Sequence, residues 1–113
     1  MVTLDELRKI ASGFPEVIEE PHFEKTSFRV KKKIFVTCNG HQAFIKLSGI
    51  DQSVFCSVDR QIIYPVDNKW GKQGWTIIEM TRIDKDLFND AIITAYCTVA
   101  PRKLAESVRP SKL

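Results

Sequence analysis

The stretch that decides the fold is FRVKKKIFVTCNGHQAFIKL, residues 28–47. Apolar and polar side chains alternate along it with a period of two, which is typical of β-strands that bury one face. The dipeptide Asn39-Gly40 lies between two such runs and is a strong hairpin signal, because a type I′ turn requires positive φ at two successive residues. The pattern predicts three antiparallel strands joined as two linked hairpins, at 28–31, 34–38 and 41–47.

The first of these hairpins carries a concentrated positive charge. Its turn is predicted around Lys32 and Lys33. Residues 25–49 include six basic side chains and no acidic one, whereas residues 1–24 include six acidic and two basic ones. Such an asymmetry favours an anionic partner for one face of the protein.

Upstream of this stretch, the sequence indicates a helix followed by a connection. Thr3 and Glu6 form a capping box ahead of apolar residues spaced three apart, so a helix is expected over 3–12. A glycine and a proline then end it. The acidic segment from Glu16 to Lys25 is expected to be a polar connection.

Downstream, shorter elements precede a long helix. Either Ser48 or Asp51 is expected to cap a short helix through Val54 and Phe55. The remaining predictions are a strand at 62–64 that Pro65 ends, a loop at 67–73, a strand at 74–80, a helix at 84–99 capped by Asp84, and a last helix at 102–108 opened by Pro101.

This order of elements predicts an α+β fold, with an antiparallel sheet and with the N-terminal and C-terminal helices packed on one of its faces. The length of 113 residues fits one domain, expected at 1–109 and followed by a frayed tail at 110–113. No apolar run reaches the roughly 18 residues of a membrane helix, and the N-terminus lacks the features of a signal peptide. We therefore expect a cytoplasmic protein that does not associate with membranes and is a monomer or a weak dimer.

Few residues point to catalysis or to a cofactor. Cys38, Cys56 and Cys97 are widely spaced and form no CxxC pair, so reduced structural thiols are expected. His22 stands beside two glutamates, which is a weak set of metal ligands. No nucleophile motif such as GxSxG occurs. We expect no enzymatic activity, no bound metal and no cofactor.

Three segments resemble the MmcQ/YjbR family of small bacterial proteins: FPEVIEEPHFEKTSFRVKKKIFVT, KWGKQGWTIIEM and AYCTVAPRKL. Their most specific parts are the F-R-V…K-I-F hairpin, the GKQGW element and the V-A-P-R-K-L helix break. The resemblance implies a frataxin-like (CyaY-like) fold and a proposed role in DNA binding through paired hairpin-like projections, a "double wing". The turn of the first hairpin, which often contains glycine in relatives, is all lysine here.

The basic hairpin and the loop around Trp70 therefore predict weak DNA binding with little or no sequence specificity, since lysines neutralise phosphates and a tryptophan can stack on a base. The candidate nucleic-acid-binding residues are Lys25, Arg29, Lys31, Lys32, Lys33, Lys69, Trp70, Lys72, Arg102 and Lys103. A competing interpretation is that the hairpin lysines only keep an exposed strand edge from pairing with other chains.

The alternative function is a non-catalytic module that binds a protein or a small molecule. It would use an aromatic groove near Trp70, His22 and Tyr64. If the tryptophans are instead structural, Trp75 is expected to be a core residue of its strand and Trp70 to close the rim of the core.

Overall fold

The structure is a computed structural model that describes residues 1–108. Its helices and strands are, in chain order, α1 (Leu4–Ser12), β1 (Val17–His22), β2 (Lys25–Val30), β3 (Lys33–Asn39), β4 (Gln42–Lys46), α2 (Gly49–Cys56), β5 (Ile63–Pro65), α3 (Lys69–Lys72), β6 (Trp75–Glu79), α4 (Lys85–Val99) and α5 (Arg102–Val108). Arg109 and the tail expected at 110–113 lie outside the described residues.

The six strands form one antiparallel sheet in the order β1-β2-β3-β4-β6-β5. The strands β2, β3 and β4 are the two linked hairpins predicted from residues 28–47. The α+β class with N-terminal and C-terminal helices is therefore confirmed. Among residues 1–108, every helix is too short or too polar to cross a bilayer.

Helix α4 covers one face of the sheet, and the apolar residues at its centre are buried. Phe88, Ile92 and Tyr96 have no exposed area. The Tyr96 hydroxyl donates a hydrogen bond to the Pro15 carbonyl at 2.7 Å, and its ring meets the Phe35 ring edge-on at 5.4 Å. The hydroxyl of the buried Tyr96 therefore has a hydrogen-bond acceptor, and its ring packs against another aromatic ring. Helix α1 packs on α4, so the two helices share this face.

The predicted helix caps are present. The Thr3 hydroxyl accepts from the backbone N–H of Glu6, whose carboxylate accepts from the backbone of Thr3 in return. Ser48, rather than Asp51, caps α2, because its side chain accepts from the Asp51 N–H at 3.1 Å. Asp84 caps α4 in the same way.

The acidic segment predicted as a connection is instead strand β1, which pairs along its whole length with β2. Four of its six residues are exposed, because β1 forms one edge of the sheet. An edge strand needs no continuous apolar face and tolerates proline, here Pro21. The period-two signal that reveals an interior strand was therefore missing.

Both hairpin turns differ by one residue from their prediction. The first turn is formed by Lys31 and Lys32, with φ of 51° and 70°, and Lys33 already belongs to β3 opposite Val30. In the second, Asn39 pairs with Gln42, and only Gly40 has positive φ. This geometry fits a type II′ turn, which places glycine first, rather than the predicted type I′.

The loop predicted at 67–73 contains one helical turn, α3, capped by Asn68. A single turn is too short to show an apolar period of 3.6, so the prediction missed it.

Cys38, Cys56 and Cys97 are free thiols, and burial raises the pKa of the first two.

Candidate functional site

The face of the sheet opposite α4 carries an open groove of about 310 Å³. Successive side chains of a strand point to opposite faces. Ala43 and Ile45 of β4 are fully buried against the core, so Phe44 between them points outward into the groove. Trp75 of β6 lies on the same outer face, opposite Lys46.

Three aromatic rings and several smaller groups make up the walls. The floor and sides come from β1, β2, β3, β4 and β6, and Trp70 of α3 closes one side. Lining side chains include His22, Lys25, Ile34, Phe44, Trp70 and Trp75. Trp70 is 49% exposed, which is unusual for a large apolar ring.

A lysine accompanies each of the three rings. The Lys25 ammonium lies 4.9 Å from the centre of the Phe44 ring, the Lys46 ammonium 5.8 Å from that of Trp75, and the Lys69 ammonium 5.7 Å from that of Trp70. These distances are within the range of cation–π attraction. The groove therefore combines flat apolar surfaces with positive charge.

Two glycines place Trp70 at the groove. A Cβ atom on Gly71 would lie 1.9 Å from the Val66 carbonyl oxygen, and one on Gly74 would lie 1.8 Å from that of Leu47. Gly74 also has φ of +105°, which favours glycine. The GKQGW element thus lets the backbone of α3 and the following turn approach their neighbours closely enough to seat the tryptophan.

Further hydrogen bonds hold α3 in this position. The side-chain amide of Gln52 donates to the Gly71 carbonyl at 2.9 Å, which links α2 to α3. The Asn68 side chain accepts from the backbone N–H of Trp70 at 2.8 Å. Helix α3 is therefore anchored at both its start and its middle.

Tyr64, expected near the groove, is committed elsewhere on the sheet. Its hydroxyl donates to the Glu79 carboxylate, which also accepts from Gln42 at 2.9 Å. The hydrogen bond from Tyr64 holds the pKa of Glu79 below its ordinary value, and the same bond raises the pKa of Tyr64. Of the predicted trio, Trp70 and His22 line the groove and Tyr64 does not.

The charge asymmetry of the sequence is partly cancelled by the fold. Because β1 pairs with β2, acidic residues lie beside basic ones. Lys31 forms a salt bridge with Glu16 at 2.6 Å, and Arg29 lies 3.5 Å from the Glu20 carboxylate. The pairing of β1 with β2 therefore interrupts the basic surface of the hairpin with acidic side chains.

The ten predicted nucleic-acid-binding residues fall into separate groups. Lys25 and Trp70 line the groove, Lys69 lies near the Trp70 ring, and Lys72 is at the end of α3. Lys32 in the turn after β2 and Lys33 at the start of β3 are exposed and have no salt-bridge partner among residues 1–108.

Arg102 and Lys103 belong to neither group. They lie on α5, which packs against α4, and Arg102 pairs with Glu106 at 3.2 Å. The terminal helix is thus attached to the helix that covers the other face of the sheet.

Two groove residues were missed or misassigned from the sequence. In the sequence, Phe44 lies on the side of its strand that is expected to face solvent. A large aromatic residue at such a position could have indicated a binding surface. Trp75 was expected in the core but lies on the outer face, half-buried, while Thr76 and Ile78 face the core. Both faces of β6 are largely apolar, so the period of two could not decide between them.

His22 is one of the residues that line the groove. Its Nδ1 atom lies 3.4 Å from the Arg29 guanidinium, and its ring meets the Phe23 ring edge-on at 4.8 Å. Within residues 1–108, no three metal-binding side chains come together.

The chain matches no protein-family model and no curated protein sequence. Among solved structures, it is similar to the Deinococcus radiodurans protein DR2400, which has a DUF419 domain. The two share 17% sequence identity with a TM-score of 0.79, over 100% of this chain and 93% of that one. A likeness at this identity shows a common fold.

Proposed function

We propose that this protein is a non-catalytic binding module whose groove accepts a ligand with a flat apolar part and a negative charge. The observation that carries the proposal is the meeting of Phe44, Trp70 and Trp75 with Lys25 in one concave site. Ligand sites of this kind are largely apolar pockets with a few placed polar groups. Half-exposed Trp70 has apolar area still to bury when a ligand enters.

We also infer that the chain is a distant member of the MmcQ/YjbR family. The full-length likeness to a DUF419 protein, which has the MmcQ/YjbR-like fold, supports this membership. The GKQGW element supports it further, because both of its glycines are needed for close backbone contacts in this fold.

The test uses 8-anilino-1-naphthalenesulfonate, an aromatic anion that matches the proposed ligand chemistry. Trp70 and Trp75 are the only tryptophans in the chain, so quenching of their fluorescence reports on the groove directly. We expect saturable quenching that Trp70→Ala weakens about fivefold, since an aromatic pair contributes about 1 kcal/mol.

A matched control is needed because α2 also exposes apolar side chains. Ile50 and Val54 are 79% and 59% exposed and do not line the groove. The double variant Ile50→Ser/Val54→Ser should therefore keep the affinity of the wild type. Binding that the α2 variant abolishes and Trp70→Ala leaves unchanged would contradict the proposal.

Duplex DNA is the second candidate ligand, bound by the turn between β2 and β3. It is favoured by Lys32 and Lys33, which are exposed and unpaired among the described residues. A duplex titration at two salt concentrations tests it, because affinity from phosphate contacts falls steeply with salt. Affinity that does not change in Lys32→Ala/Lys33→Ala would exclude this candidate.

A further inference from the structure

The groove has the charge of a site for an anionic ligand. Each of its three rings has a lysine within 6 Å of the ring centre, and no carboxylate lines it within residues 1–108. A ligand that only needed apolar surface would not require these cations. A flat heteroaromatic group joined to a phosphate satisfies both the rings and the lysines.

Phe23, which follows β1, extends the aromatic surface beyond the groove. Its side chain is 91% exposed, and its ring contacts the His22 ring, which lines the groove. The backbone of Phe23 has φ of 60°, where a bulky residue is strained and glycine is preferred. An exposed aromatic ring kept at a strained turn position contributes nothing to the core, and strain of this kind collects at functional sites.

Open sheet faces with aromatic rings and cations suit single strands better than duplexes. Unpaired bases can stack on aromatic side chains while nearby lysines contact the backbone, whereas in a duplex the faces of the bases are covered by their neighbours. The groove, with a volume of about 310 Å³, has room for a base, and Phe23 lies outside its lining but contacts His22 within it.

We infer that the groove binds one base of a single-stranded nucleic acid and that Phe23 stacks on a neighbouring base. This inference rests on the proposed function, because it names the ligand of the same groove. It assigns a role to Phe23 that a site for one small molecule would not require.

The experiment compares three probes by quenching of tryptophan fluorescence at low salt: an eight-residue thymidine oligonucleotide, thymidine monophosphate and an abasic oligomer of equal length. We expect the oligonucleotide to bind about tenfold more tightly than the monophosphate, and the abasic oligomer to bind weakly. Equal affinity for the oligonucleotide and the monophosphate, or for the oligonucleotide and the abasic oligomer, would overturn the inference.

The variant Phe23→Gly tests the second stacking surface. It should weaken the oligonucleotide about fivefold and leave the monophosphate unchanged. Glycine relieves the strained φ, so we expect the variant to fold and attribute any loss of affinity to the missing ring. Val54→Ala, an exposed apolar position on α2, serves as the matched control and should change neither affinity. An unchanged oligonucleotide affinity in Phe23→Gly would overturn the role of this residue.

The two proposals fail in different ways. If the anilinonaphthalene probe binds in a Trp70-dependent manner while the oligonucleotide does not bind, the nucleic-acid inference is wrong and the groove remains a small-molecule site. If neither probe depends on Trp70, the proposed function is wrong as well. A DNA hairpin whose stem pairs these eight thymidines with adenosines, if it binds as tightly as the single strand, also contradicts the inference.

Discussion

Two successive lysines, Lys31 and Lys32, form the turn between β2 and β3 with left-handed backbone angles. A side chain other than glycine costs about 1–2 kcal/mol in this region because its Cβ crowds the backbone. The backbone of the turn is therefore strained, and the turn carries the positive charges of Lys31 and Lys32. The sequence showed a hairpin and its basic tip, but three equivalent lysines in a row could not show which two would turn.

We predict that Lys32→Gly stabilises the protein by about 0.5–1 kcal/mol, since glycine removes the strain at φ of 70°. Lys33→Gly is the matched control. It removes the same charge one residue later, inside β3, where glycine costs about 0.5–1 kcal/mol. Urea unfolding of both variants measures the difference. Equal shifts of the two midpoints in the same direction would contradict this explanation.

Among the elements, α3 matters most for the site because it carries Trp70 at the groove. Its prediction as a loop failed since a four-residue helix has no period to detect. By contrast, α1 and α4 were predicted closely because their capping residues and apolar stripes are local signals. Strand β1 was missed for a different reason: as an edge strand it is defined by its hydrogen bonds to β2, and these do not depend on side-chain pattern.

We predict that Gly71→Ala destabilises the protein by about 3 kcal/mol, because the new methyl group would overlap the Val66 carbonyl. Ligand binding should fall with it as Trp70 moves. Gly49→Ala at the start of α2 is the control, since a Cβ there meets nothing within 4 Å. Thermal unfolding and quenching of tryptophan fluorescence by the anilinonaphthalene probe measure the two effects. A Gly71→Ala protein as stable as Gly49→Ala would refute the close contact.

At the scale of the whole molecule, the fold brings together charges that the sequence keeps apart. Pairing of β1 with β2 places the acidic N-terminal segment against the basic one, and Lys31 forms a salt bridge with Glu16 at 2.6 Å. The sequence correctly showed the two blocks of charge. Their mutual neutralisation could not be predicted without the missed strand, so the basic surface was overestimated.

We predict that acid destabilises the protein through Glu6, Glu19 and Glu79. Hydrogen bonds from Lys85, Arg8 and Tyr64, respectively, lower the pKa of these three carboxyls from their ordinary values in the folded state. A carboxyl whose pKa is lower when folded stabilises the protein above the unfolded pKa. That contribution is lost as the pH falls through the folded pKa.

The free energy of unfolding should therefore be steady near about pH 6 and should fall below about pH 4.5. Glu19→Gln should make this fall shallower because it removes one of the three carboxyls. Urea titrations across this range measure it. A fall of equal slope in the variant and the wild type would show that the pairing of Glu19 with Arg8 does not contribute.

Because side chains alternate between the two faces of the sheet, the residues that stabilise the core differ from those that line the groove. On β4, Ala43 and Ile45 belong to the core, while Phe44 between them belongs only to the groove. Outward positions can therefore accept substitutions without repacking the interior, whereas inward ones tolerate few changes of volume. A descendant of this protein could acquire a new ligand by drift on one face alone and still inherit the same architecture.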